Sequence, residues 1–171
     1  MKRNQAIAAY SALMGVKLNK MTEDMTDAIL ADTLTLSAIQ EQFTKVQEEL
    51  RKRTIDTIDQ KRREDYDNIV TKMNALDAQK RAALQAVIND NYPDVLQAQG
   101  VYMKALNKWL DKDITVDLEQ IERKDFIKAM KDGEQDITPA ALNVIAPLFK
   151  DSKAVSVEID SEEIVSLINE E

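Results

Sequence analysis

The sequence predicts a mainly α protein built on a long antiparallel helical hairpin or coiled coil, with a small β element and short C-terminal helices. Aromatic residues make up only 5% of the chain and charged residues 32%, a composition typical of narrow helices packed through aliphatic side chains. Residues 16–92 contain neither glycine nor proline, which long helices tolerate well. One straight helix of that length would span roughly 115 Å at about 1.5 Å per residue, so two paired helices are the more economical arrangement.

Apolar residues in this region recur at alternating steps of three and four, the spacing of a helix seam. Few aliphatic residues lie between the two seams, so we expect the chain to bend within residues 57–67. The alternative is an unbent helix that pairs with another copy of itself. The first seam contains Leu36, Ile39, Phe43, Val46 and Leu50, and the second Tyr66, Ile69, Met73 and Leu76.

Shorter elements are predicted before the hairpin. Residues 4–13 form a helix that ends at Gly15, and residues 16–20 alternate in the manner of a short strand. Thr22 is placed to cap the long helix that follows.

After the hairpin, Pro93 suits the first turn of a new helix, whose apolar face ends at Trp109. The period then changes to two, which predicts a strand through Ile114, Val116 and Leu118. Short helices are expected over residues 123–130 and from Pro139, and then a second strand near residues 154–159 and a terminal helix from residue 161. We expect a single domain over residues 1–171, with the hairpin in 22–92 and the shorter elements in 93–171.

The absence of cysteine and histidine excludes several kinds of chemistry. No disulfide, thiolate nucleophile, imidazole base or zinc site of the usual kind can form without these residues. The three glycines lie far apart, so there is no glycine-rich phosphate loop. The segment 131–137 resembles a calcium loop only in being acidic, since its ligand spacing is wrong. We therefore expect no enzyme activity, cofactor or metal.

The net charge of −8 belongs to the C-terminal half, where residues 86–171 contain 9 Lys and Arg against 18 Asp and Glu. Such a surface repels phosphate backbones, which disfavours nucleic acid as a partner. No apolar run reaches the length of a membrane span, and the basic start of the chain is not followed by a convincing cleavage segment. We expect no membrane association and an intracellular location.

Two groups of residues are candidates for an interaction surface. The first is a basic cluster that could bind phosphate, although the acids interleaved with it favour a solvated face. The second is an aromatic face that could be a hot spot for a partner, although a lone tryptophan on an apolar helix face is usually core. The candidates are Arg51, Arg53, Arg62 and Arg63 in the basic cluster, and Tyr102, Leu106 and Trp109 in the aromatic face.

The order of features resembles that of a group of small bacteriophage proteins encoded among tail and lysis genes. The resemblance rests on the segments 16–21, 102–110 and 113–121, continues over 125–148, and covers residues 5–149 in all. It implies a short helix, a strand-like segment, a long charged helical section and a strand followed by a short helix. The resemblance implies a setting, the cytoplasm of a bacterial host cell or a virion. The group has no assigned activity, so the resemblance implies no active site.

We therefore expect a non-enzymatic phage accessory or assembly protein, which acts through its long helices and forms a homodimer or higher oligomer. A virion or host protein is a further partner. The alternative is a phage inhibitor of host defence that binds a small molecule, such as a nucleotide signal, or a host protein. An enzyme that uses carboxylates alone is a third hypothesis.

Overall fold

The computed structural model describes residues 1–150 and the backbone of residues 155 and 156. It is mainly α, as predicted. The helices are α1 (Arg3–Leu13), α2 (Glu23–Arg53), α3 (Gln60–Asn74), α4 (Ala78–Asn91), α5 (Pro93–Leu110), α6 (Arg123–Asp132) and α7 (Pro139–Val144), with 3₁₀ turns at Ile55–Thr57 and Ala146–Leu148. Two short strands, β1 (Thr115–Val116) and β2 (Val155–Ser156), pair antiparallel.

The chain divides into two compact units. Of the described residues, unit 1 contains 1–44, 109–150, 155 and 156, and unit 2 contains 45–108. The boundaries fall within α2 and α5. The single domain expected over residues 1–171 stays a prediction.

The core of unit 1 forms where α1, the first part of α2, the β1 region and the C-terminal helices meet. Small residues on α1 allow close packing, with Ala6 and Ala9 fully buried. The rings of Phe126 and Phe149 contact each other at 5.6 Å between centroids. Other members of this core are Leu13, Met25, Ile29, Leu36, Ile39, Ile114, Val116, Leu118, Ile121, Ala129, Met130, Ile145 and Leu148.

The predicted first strand is present but short. The alternation of Ile114, Val116 and Leu118 holds in the burial of all three side chains, whereas the ladder with β2 covers only Thr115 and Val116. β2 lies within the second predicted strand, and the rest of that strand and the terminal helix from residue 161 lie outside the described residues.

The prediction of a strand at residues 16–20 was wrong. A side chain occupies the place of a neighbouring strand: the amide of Gln135 accepts from the Lys17 N–H and donates to the Lys17 carbonyl, both at 2.8 Å. Val16 and Leu18 still pack against the core of unit 1. Their alternation therefore reflects burial against this core in an irregular segment.

In unit 2 the run without glycine or proline is broken at polar residues. Thr54 ends α2, and its hydroxyl donates to the Leu50 carbonyl at 2.7 Å. Asp59 then caps α3 by accepting from the Arg62 N–H, and Asp77 caps α4 by accepting from the Lys80 N–H. The bend at residues 54–59 thus begins three residues before the predicted window. The second half of the run forms two helices, α3 and α4, rather than one. The reason is that polar side chains can end one helix and cap the next without glycine or proline.

Several predicted helix ends are confirmed. The Thr22 hydroxyl accepts from the Met25 N–H at 3.3 Å, and α5 begins at Pro93. The helix expected from Pro139 is α7, which begins at that residue.

Candidate functional site

The first part of α2 buries one acidic residue in an otherwise apolar stripe. Met25, Ile29, Leu36 and Ile39 are buried on this helix at steps of three, four and seven, and Asp32 fills the position between Ile29 and Leu36. Helical spacing therefore forces the carboxyl group of Asp32 toward the core of unit 1. Only 1% of the residue is exposed.

Asp32 has one hydrogen bond for two oxygens. Its Oδ1 accepts from the backbone N–H of Glu119 at 2.7 Å, while its Oδ2 is buried without a partner. Burial raises the pKa of Asp32 from 3.8 to about 7, against the lowering effect of the Glu119 N–H, and the charges of Glu119 and Asp117 raise it further. This carboxyl group therefore changes charge near neutral pH.

A cavity of about 160 Å³ lies beside Asp32. Its other acidic residues come from the segment after β1, where Val116 and Leu118 point into the core and Asp117 and Glu119 alternate with them on the exposed side. We call this cavity the acidic cavity. It is lined by Ala31, Asp32, Thr35, Asp117, Leu118 and Glu119.

Another side of α2 carries two exposed leucines one turn apart. Leu34 is 73% exposed and Leu30 is 49% exposed. Residues four apart on a helix are neighbours on its surface, so these side chains form one apolar patch, which we call the leucine face. Leu30 and Leu34 are neighbours in sequence of the cavity residues Ala31 and Thr35.

A larger cleft in unit 1, of about 500 Å³, is lined on one side by the start of α2 and on the other by α6. Five acids line it against three lysines, and one of the lysines, Lys150, pairs with Glu122 at 2.9 Å. The cleft is therefore negative overall. Its charged residues are Lys20, Asp24, Glu119, Glu122, Asp125, Lys128, Asp132 and Lys150.

Each arginine of the predicted basic cluster pairs with an acidic residue in unit 2, and only Arg51 and Arg63 share one. Asp56 Oδ1 accepts from Arg63 at 2.5 Å and from Arg51 at 3.4 Å, so one carboxylate joins the end of α2 to α3. Arg53 pairs with Glu49 at 3.9 Å. The interleaved acids thus neutralise the cluster, which favours the solvated-face interpretation over a phosphate site.

Arg62 has the most extensive contacts of the cluster. Its guanidinium donates to both carboxylate oxygens of Asp94, at 2.6 and 2.7 Å, and to the Asn91 carbonyl at 2.6 Å. It also lies over the ring of Tyr92. The bidentate pair holds the pKa of Asp94 at about 2. Arg62 therefore connects α3 to the start of α5.

The predicted aromatic face is core rather than surface. Trp109 is only 2% exposed, stacks on Phe43 at 5.9 Å between ring centroids, and lies under the guanidinium of Arg3. Leu106 is buried and Tyr102 is half-buried. This is the structural interpretation that the sequence favoured, and it leaves Trp109 and Leu106 unavailable to a partner without rearrangement.

Asp32 and the leucine face were not predicted from the sequence. The signal for Asp32 was its position four residues before Leu36, which continues the first seam toward the N-terminus. The signal for Leu30 and Leu34 was that two leucines fall outside that seam on the same helix. Neither feature resembles a known motif.

No protein-family model matches the chain, and no curated protein sequence or solved structure is significantly similar to it. In the part of the chain that the structure describes, no helix is long and apolar enough to cross a membrane.

Proposed function

We propose that the protein is a non-enzymatic accessory or assembly protein of bacteriophage type, which acts through protein interaction and associates with itself through the leucine face. One observation carries the proposal: Leu34 is 73% exposed and Leu30 is 49% exposed on α2, the longest of the described helices. The order of sequence features over residues 5–149 supports the phage setting.

The energetics limit association through the leucine face alone to a weak, concentration-dependent equilibrium. Complete burial of a leucine contributes roughly 1.5–3 kcal/mol, so two partly exposed leucines from each of two copies contribute roughly 4–8 kcal/mol. Association costs about 4–15 kcal/mol in lost freedom of motion. This gain exceeds the cost only where the cost lies near its low end, so the leucine face alone supports at most a weak association, and a tighter one needs further contacts.

Light scattering at several concentrations tests this function. We expect the wild-type mass to rise with concentration and the variant Leu34→Glu to stay monomeric, because a carboxylate cannot be buried in an apolar contact at acceptable cost. The matched control is Thr44→Glu, which adds the same charge at another exposed position of α2. A wild-type protein that is monomeric at every concentration, or equal masses for wild type and Leu34→Glu, would refute self-association through this face.

The alternative function, small-molecule binding in the inhibition of host defence, is favoured by one observation. The cleft of about 500 Å³ falls within the usual size of ligand pockets, about 300–1,000 Å³. Its excess of carboxylates repels phosphates, which disfavours nucleotides and favours cationic or neutral ligands. Thermal-shift screening with nucleotides and with amines tests it: stabilisation by an amine, lost in Asp125→Asn, supports this function, and no stabilisation by either class opposes it.

A further inference from the structure

We propose that the acidic cavity binds an organic cation, the ammonium or guanidinium group of an amine or a basic side chain, between Asp32, Asp117 and Glu119. The proposal depends on the buried, unpartnered oxygen of Asp32 and on the two further carboxylates that line the same space.

The charges of the cavity are unbalanced. Three of its six lining residues are acidic and none is basic. A buried carboxyl oxygen without a hydrogen bond is costly, and Asp32 Oδ2 is such an atom. A bound cation would donate to this oxygen and offset the mutual repulsion of the carboxylates.

The size and arrangement of the cavity favour an organic cation over a metal ion. Among residues 1–150, no group of three or more acidic side chains is placed to hold a metal ion. An ammonium or guanidinium group needs hydrogen-bond acceptors but no fixed coordination sphere. The volume of about 160 Å³ is below that of the usual pocket for a drug-sized ligand, about 300 Å³ or more, and it suits a cationic head group with the methylenes next to it.

The cation has two sources with the same chemistry. It is either a free small amine or a lysine or arginine side chain of a second copy seated on the leucine face. The second source rests on the proposed function. The cavity and the leucine face lie on adjacent sides of α2, because Ala31 and Thr35 directly follow Leu30 and Leu34 and so lie about 100° from them around the helix.

Titration with n-butylammonium, an analogue of the lysine side chain, tests the site itself at about pH 8, where the Asp32 carboxyl group, with its pKa of about 7, is mostly ionised. The observed signal is the backbone amide resonance of Glu119, whose N–H donates to Asp32. We expect a saturable shift in the wild type that is absent with n-butanol, which has the same alkyl chain and no charge. Asp32→Asn keeps the side-chain size and an acceptor for the Glu119 N–H, and we expect it to weaken butylammonium binding about tenfold or more, the usual worth of a charged hydrogen bond.

The control variant is Asp27→Asn, which removes an exposed carboxylate from the same helix and should leave butylammonium binding unchanged. Glu119→Gln keeps the backbone N–H and removes one carboxylate of the cavity, so it should weaken binding less than Asp32→Asn does. No saturable shift in the wild type, or equal binding by wild type and Asp32→Asn, would overturn the proposal.

A second measurement distinguishes the two sources. If a side chain of a second copy fills the cavity, Asp32→Asn weakens self-association several-fold compared with Asp27→Asn, and butylammonium competes with association. If butylammonium binds but association is equal in the two variants, the second copy is refuted as the source and the ligand is a free amine. If butylammonium fails to bind while Leu34→Glu still abolishes association, the cation site is refuted and the proposed function stands.

Discussion

Replacing Asp32 with asparagine should change how stability depends on pH. The ordinary pKa of an aspartate is 3.8, and the pKa of Asp32 in the folded protein is about 7. The folded state therefore binds the proton of this carboxyl group more tightly than the unfolded state does. As the pH rises from about 4 to about 7, the unfolded state ionises first and the wild type loses stability; above about pH 7 the loss is complete. Asparagine does not ionise, so the variant does not have this loss.

The size of the effect follows from the pKa difference. A shift from 3.8 to about 7 corresponds to roughly 4 kcal/mol at about 1.4 kcal/mol per unit. The amide oxygen of asparagine can still accept the Glu119 N–H that now bonds to Asp32 at 2.7 Å. The stability of Asp32→Asn relative to wild type should therefore rise from about zero near pH 4 to roughly 4 kcal/mol near pH 8, a large part of the total stability of about 5–15 kcal/mol of most proteins.

Urea unfolding followed by the fluorescence of Trp109 measures this difference. Trp109 is the only tryptophan, and it is buried in the same unit as Asp32. Asp27→Asn, at an exposed position of the same helix, should change little with pH relative to wild type. A difference between wild type and Asp32→Asn that is constant from pH 4 to pH 8 would show that burial does not perturb this carboxyl group.

Three further predictions concern stability. Glu134 follows α6 with a φ of 53°, a left-handed conformation that costs a non-glycine residue roughly 1–2 kcal/mol. Glu134→Gly should therefore increase the free energy of unfolding by about 1 kcal/mol, once the freedom of glycine in the unfolded chain is included, and so raise the melting temperature. An unchanged or lower melting temperature would contradict this. Trp109→Ala should lower the free energy of unfolding by about 3–5 kcal/mol, because it empties a core position. Leu34→Ala, on the exposed side of α2, should change it by about 0.5 kcal/mol or less. Urea titrations in which Leu34→Ala is the more destabilising variant would contradict the assignment of these residues to core and surface. Arg62 holds the pKa of Asp94 at about 2, below its ordinary value of 3.8, so the pair stabilises unit 2 above pH 3.8 and this stabilisation is lost as the pH falls through about 2. Unfolding followed by circular dichroism should therefore show that Asp94→Asn destabilises the protein at pH 7 and no longer does so near pH 2. A destabilisation that is independent of pH would refute this.

The fold class could be predicted because periodicity reports burial directly. The seam from Leu36 to Leu50 lies on α2, and the two-residue alternation of Ile114, Val116 and Leu118 is kept even though the ladder is short. The helix starts at Thr22 and Pro93 could be predicted for a different reason, because there the local chemistry of the cap or of the first turn decides the outcome.

The breaks in the helical run were harder to predict. They lie at Thr54 and at the caps Asp59 and Asp77, residue types that also occur within exposed helices. Such side chains compete with the helix for hydrogen bonds only where the tertiary structure favours it. In residues 16–20 the apolar side chains do alternate, but the backbone of Lys17 bonds to the side chain of Gln135 instead of to a strand. No local sequence pattern predicts this contact.

The candidate site could be predicted only in part. Asp117 and Glu119 follow from the alternation in the segment after β1, but their meeting with Asp32, more than eighty positions earlier in the chain, depends on tertiary packing. A charged residue in an apolar stripe is itself a signal, because isolated buried charges are costly and are kept for a reason. The sequence could have marked Asp32 by this rule without identifying its partners.

Spin labelling tests self-association through the leucine face most directly, since the chain contains no cysteine and a single label can be placed by Ala38→Cys. Position 38 is exposed on α2 one turn after Leu34. We predict intermolecular dipolar coupling between labels that grows with protein concentration and disappears when Leu34→Glu is added. A label that shows no intermolecular coupling at any concentration, or the same coupling with and without Leu34→Glu, would contradict the proposed role of this face.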